Sequence, residues 1–149
     1  MTINHARVAM DIEGLPEMPI SGVRISDVIA TAKVGMKGHH TTDLELDNVQ
    51  VNADGGPAFL LRDSKGVELR GVSTRKPPAD APVIRLDNCS GATVRNSKAF
   101  AGTGTFLSVG AGEMKSVVME GNALGGAKKA AEESAKDFPM NPEPATEKN

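Results

Sequence analysis

The sequence contains no tryptophan and no tyrosine, and its four phenylalanines hold the aromatic fraction to 3%. Aromatic rings usually supply much of a small core's buried area, so this chain must build its interior from aliphatic side chains. A single cysteine, Cys89, excludes an internal disulfide framework. No apolar run approaches the roughly 18–20 residues of a membrane-spanning helix, so no membrane partner is expected. The start, Met1-Thr2-Ile3-Asn4-His5, has neither the basic residues nor the apolar stretch of an export signal. Charge of one sign is missing too. With 17 Lys+Arg against 19 Asp+Glu, the net charge is −2, and no basic cluster offers a footprint for nucleic acid. What the chain has in quantity is glycine, 16 in 149 residues.

It also has a repeat. Val23-Arg24-Ile25-Ser26-Asp27-Val28-Ile29-Ala30 recurs as Leu44-Glu45-Leu46-Asp47-Asn48-Val49-Gln50-Val51 and as Val67-Glu68-Leu69-Arg70-Gly71-Val72-Ser73-Thr74. Weaker copies are Ala92-Thr93-Val94-Arg95-Asn96-Ser97-Lys98-Ala99 and Val117-Val118-Met119-Glu120-Gly121-Asn122-Ala123-Leu124. Successive starts are 21, 23, 25 and 25 residues apart. Of the twenty inward positions in the five copies, seventeen are apolar, the exceptions being Thr74, Ser97 and Asn122.

Apolar residues two apart mark a strand with one buried face. The three-residue step from Ile25 to Val28 leaves two residues to turn a corner. The second corner residue is Asp27, Asn48, Gly71, Asn96 or Gly121, the types that best tolerate a left-handed backbone. A third strand precedes each unit, with inward pairs expected at Met36/Gly38, Phe59/Leu61, Ile84/Leu86 and Val109/Ala111. Three short strands and three bends per 21–25 residues describe one turn of a parallel β-helix of five to six rungs. An antiparallel sandwich has no reason to repeat a bend residue in phase, and leucine-rich repeats need an asparagine and leucine framework that is absent.

The register predicts surface ladders. Asp47 should neighbour Arg70, and Arg95 should neighbour Glu120, while Glu45 and Glu68 stack as like charges unless a cation sits between them. Excursions are expected at residues 37–42, 53–57, 75–82 and 101–105, where a β-helix would build its sites. The rungs fill residues 1–126. Residues 127–138, from Ala127-Lys128-Lys129-Ala130-Ala131-Glu132-Glu133 onward, read as a helix and a candidate cap, ended by Phe138 and Pro139. Residues 139–149 are rich in Pro and Glu and read as a disordered tail.

Several stretches resemble the polygalacturonase-like glycoside hydrolases of family 28, the pectin-degrading group. They are Ile12-Glu13-Gly14-Leu15-Pro16-Glu17-Met18-Pro19-Ile20-Ser21-Gly22-Val23, Asp54-Gly55-Gly56-Pro57-Ala58-Phe59, Asp87-Asn88-Cys89-Ser90-Gly91, Gly104-Thr105-Phe106-Leu107-Ser108-Val109-Gly110 and Met119-Glu120-Gly121-Asn122-Ala123-Leu124. The resemblance implies a right-handed parallel β-helix, action on galacturonan, and a periplasmic or secreted location. It covers the C-terminal rungs of that family only. The Asn-Thr-Asp, Asp-Asp, Gly-His-Gly and Arg-Ile-Lys motifs that the resemblance would bring are absent. The near-misses Arg24-Ile25-Ser26, Gly38-His39-His40 and Thr41-Thr42-Asp43 run in reverse order. An inverting glycosidase needs two carboxyl groups about 6.5–9.5 Å apart, and no residue is assigned a catalytic role. The expectation is an end piece without hydrolytic activity of its own. The alternative is a non-catalytic module that binds an acidic glycan or docks on a partner, or on itself, through the uncapped N-terminal end.

Arg62, Arg85, Arg75 and Lys76 are the candidate substrate-binding residues, because guanidinium forks suit the carboxylates of an acidic polysaccharide. No cofactor is expected. His39 and His40, with His5, lack a third ligand at a recognisable spacing, so no metal is assigned. Cys89 is expected to be a packed thiol, in register with Ser64 and Met114. Asp54, Asp63 and Asp87 could be offered as an acid pair, but nothing in the sequence marks them out. Gly102-Thr103-Gly104 and Gly110-Ala111-Gly112 lack the helix and Lys-Ser/Thr of a phosphate loop.

Overall fold

The computed structural model describes residues 1–136 and Phe138. The alternating segments stack into an all-β parallel solenoid of about six turns, in keeping with the expected right-handed β-helix. The strands are β1 (Thr2–Glu13), β2 (Ile20–Ser21), β3 (Arg24–His39), β4 (Thr41–Thr42), β5 (Glu45–Arg62) and β6 (Glu68–Ser73). They continue with β7 (Ile84–Asp87), β8 (Ala92–Arg95), β9 (Thr103–Val109), β10 (Val117–Glu120) and β11 (Ala127–Glu133). A 3-10 turn at Met114–Ser116 is the one helical element among the described residues.

The repeat sets the register. Ile25, Leu46, Leu69, Val94 and Met119 form one inward ladder, each aligned with the next across parallel strand pairs. Met36, Phe59, Ile84 and Leu107 form another. In the first ladder the middle members are sealed while Ile25 and Met119 at its ends are partly covered, and in the second all four are buried, as expected of a stack that only its neighbours can bury. Two of the three polar exceptions replace missing ladder bonds. Val72 N donates to Ser97 Oγ at 3.1 Å, and Ser97 N donates to Asn122 Oδ1 at 2.9 Å. They hold rungs together just past the corner, where the backbone pairing lapses.

All five corner residues have φ between 52° and 65°. Two further left-handed ladders flank the short β4 segment. One is His40, Asp63 and Asn88; the other is Gly22, Asp43, Gly66 and Gly91. Asn48 also donates from Nδ2 to Asp27 Oδ1 at 2.8 Å, tying two corners together. A β-branched residue is poorly accommodated in this conformation. Asn48→Val is therefore expected to cost about 1–2 kcal/mol in urea unfolding, the scale of a left-handed penalty. Asn48→Gly, which keeps the backbone, should cost clearly less.

The outward face of the first strand neutralises itself. Arg70 meets Glu68 at 2.8 Å, Glu45 at 3.2 Å and Asp47 at 3.7 Å, so it is the cation between the stacked glutamates. Its hydrogen bond to Glu68, opposed by desolvation and helped by the charges of Glu68, Asp47 and Glu45, holds the guanidinium above its ordinary value. Arg24 bonds Asp47 at 3.2 Å, and Arg95 reaches Glu120 at 3.5 Å.

Three expectations need correction. Residues 127–133 form β11, not a helix. Alanine, lysine and glutamate favour helix only weakly, and the open edge of β9 offers a full ladder of backbone partners, Ala127↔Thr103 to Glu133↔Val109. Glycine at 126 permits this approach, since a Cβ there would collide with the backbone of Ala99 and Phe100. Asp137 and residues 139–149, the tail reading included, lie outside the described residues. The inward pair of β9 is Leu107/Val109, because Ile84 aligns with Leu107 after 23 residues rather than 25. Finally, rings do enter the core: Phe59 and Phe106 are its largest fully buried side chains. Of the expected excursions, 75–82 is an open loop, whereas 37–42 and 53–57 lie largely within strands and 101–105 is a short turn entering β9.

Candidate functional site

The candidate residues fall into three places on the solenoid. The first is the outward face of the third strand. Alternation sends Arg62, Arg85 and Asp87 outward here, and this face is covered: Leu60, Arg85 and Ser108 point away from the core yet are buried. Residues 134–136 and Phe138 lie over it. The Arg85 guanidinium is 2% exposed and meets Asp87 at 2.7 Å. It donates to Ser108 Oγ at 2.6 Å and to the carbonyls of Val109, Ser134 and Lys136 at 3.2, 2.9 and 3.1 Å. Arg62 reaches Asp87 at 3.2 Å and the carbonyl of Phe138 at 2.7 Å. These two arginines hold down the chain's last described segment.

Arg75 and Lys76 lie apart from them, at the start of the 75–82 loop. Arg75 stands 4.6 Å from the centroid of Phe100, and Lys98 stands 4.8 Å from the same ring. Lys76 pairs with Asp54. That hydrogen bond and charge, helped by Lys33, hold the Asp54 carboxyl below its ordinary range. The four basic candidates thus form two pairs rather than one cluster. Lys98 and Phe100 were not legible as their companions, because the ring contact crosses from one rung to the next.

The third place is the corner after β3. Side chains alternate along a strand, but the left-handed turn at His40 breaks the alternation, and the His39 and His40 rings stack with centroids 4.0 Å apart. One rung on, Asp63 Oδ2 lies 2.9 Å from His39 Nε2 and 4.0 Å from His40 Nε2. Asn88 donates from Nδ2 to Asp63 Oδ1 at 2.7 Å, and Glu13 approaches His39 Nδ1 at 3.9 Å. Burial pushes the Asp63 carboxyl up, but the hydrogen bonds from Asn88 and His39 and the charge of both imidazoles outweigh it and hold the group below its usual range. Among the described residues, His39, His40 and Asp63 are the set of His, Cys, Asp or Glu whose donor atoms converge within 4.8 Å. His5 lies in β1, outside it. The third ligand that sequence spacing did not offer is supplied by the rung period.

Cys89 is packed as expected, in register with Ser64, and burial pushes its thiol up to about 12. It stays protonated at neutral pH, which does not suit a nucleophile. A groove of about 230 Å³ near the N-terminus is lined by Met1, Thr2, Asp27, Ile29, Asn48 and Gln50, away from all the basic candidates.

A fold comparison places the chain beside a provisionally assigned glycosyl hydrolase from Parabacteroides merdae. The match has a TM-score of 0.58 and 12% sequence identity, covering 89% of this chain and 76% of that one. At that identity the likeness is one of fold. No family model matches the sequence, and no curated protein does.

Proposed function

We propose that this chain is a β-solenoid module that binds an acidic, pectin-type polysaccharide, as the C-terminal part of a polygalacturonase-like glycoside hydrolase, and does not cleave it by itself. The observation that carries the reading is the state of the three candidate carboxyls. A general acid must hold its proton near neutral pH, in surroundings that disfavour its charge. Asp54 faces Lys76, Asp63 accepts from Asn88 and His39, and Asp87 sits between Arg62 and Arg85. Asp54 and Asp63 are held below the ordinary carboxylate range, and both Asp87 oxygens are engaged by guanidinium groups, so none is placed as the proton donor of an inverting pair.

Glycan contact is placed on Arg75 and Lys76, beside Lys98 and Phe100. Arg75 and Lys76 are exposed, and galacturonate carboxylates would compete with Asp54 for Lys76. Arg62 and Arg85 could join such a site only if residues 134–136 and Phe138 lifted away. Affinity electrophoresis in gels containing polygalacturonate tests this. Retardation is expected, and it should fall in the Arg75→Ala/Lys76→Ala double variant. Equal retardation of the double variant, or equal retardation by a neutral glucan, would overturn the reading.

A further inference from the structure

We propose that His39, His40 and Asp63 form a binding site for a first-row divalent transition-metal ion of the zinc class. This goes beyond the glycan reading and does not depend on it.

The donor set comes first. Two imidazole nitrogens and one carboxylate oxygen suit zinc, cobalt, nickel or copper, whereas magnesium and calcium prefer oxygen throughout. Around tetrahedral zinc, bonds of about 2.0–2.2 Å place donor atoms a little over 3 Å apart. The distances from Asp63 Oδ2, 2.9 Å to His39 Nε2 and 4.0 Å to His40 Nε2, bracket that spacing. A metal would sit between His39 Nε2 and Asp63 Oδ2 in place of their hydrogen bond, with small rotations of the side chains.

The surroundings match a metal site as well. A ligating histidine usually turns its other nitrogen toward a carboxylate or carbonyl, and a ligating carboxylate is itself hydrogen-bonded. Glu13 lies on the Nδ1 side of His39, and Asn88 holds Asp63 Oδ1, leaving Oδ2 for the ion. Asn88 is anchored in turn, its backbone N donating to Glu113 Oε1 at 2.8 Å. The backbone fixes all three corners, because His40, Asp63 and Asn88 share the left-handed conformation. His39 and His40 are about one-quarter and one-fifth exposed, so an ion can enter. Three protein ligands leave a fourth position for water or for an incoming ligand.

Zinc titration by calorimetry on the full chain, free of any affinity tag, tests the site, with cobalt absorption as the spectroscopic probe. One equivalent of zinc is expected, together with visible bands for bound cobalt. His40→Asn and Asp63→Asn keep a residue that tolerates the left-handed turn and should abolish both signals while circular dichroism stays unchanged. Asn88→Gly should weaken zinc by about 10–100-fold, as changes behind the first ligands do. His5→Ala should change nothing. The proposal is overturned if zinc does not bind, if binding survives both ligand variants, or if it is lost with His5.

Discussion

Arg85→Ala is expected to cost about 3–5 kcal/mol in urea unfolding, the scale found when one partner of a buried ion pair is removed. The side chain is 2% exposed and serves Asp87, Ser108 and three backbone carbonyls. Truncation would leave the Asp87 carboxylate to Arg62 and take a guanidinium donor from the carbonyls of Ser134 and Lys136, loosening the segment that lies over this face. Arg85→Lys should recover little, since one ammonium cannot span a fork's acceptors. Limited proteolysis should cut after residue 133 in the variant and spare the native chain. A loss under about 1 kcal/mol, typical of exposed pairs, would mean that the segment is not held there.

Phe59→Ala is expected to cost about 3–5 kcal/mol for a different reason, a cavity in a stack that cannot close around it. Phe59 is fully buried between Met36 and Ile84 in the inward ladder. The rungs above and below are fixed at strand spacing by backbone hydrogen bonds, so collapse would break registry along β5. Phe59→Leu, which fills more of the space, should lose less than half as much. Equal losses would argue against a rigid rung spacing.

Most of the fold was legible because one interaction repeats. Alternation at Val23/Ile25, a three-residue step, and a left-handed residue at Asp27, Asn48 or Gly71 recur in phase, and strand register follows from phase alone. What misled was local. Ala127 to Glu133 have helix-forming composition, but an unpaired strand edge is a stronger influence than intrinsic preference. The two-residue error at β9 came from holding the rung length constant through a turn that shortens it.

The candidate sites were legible as residues and not as groupings. Arg62 and Arg85 were visible as outward arginines; that they are covered depends on residues 134–136 and Phe138, some fifty to seventy-five positions further along the chain, folding back over them. His39, His40 and Asp63 were each noticed in the sequence. The rung period sets Asp63 beside His40, but only the left-handed corner turns both imidazoles toward it.

The reading that this solenoid holds an acidic glycan without cutting it meets its most direct test in one sample. Oligogalacturonate is titrated into the purified chain by calorimetry, and the same mixture is then assayed for new reducing ends. The account predicts saturable, salt-sensitive binding that weakens in Arg75→Ala/Lys76→Ala, with no increase in reducing ends over the protein-free control. New reducing ends from the native chain, absent with Asp63→Asn, Asp54→Asn or Asp87→Asn, would contradict it.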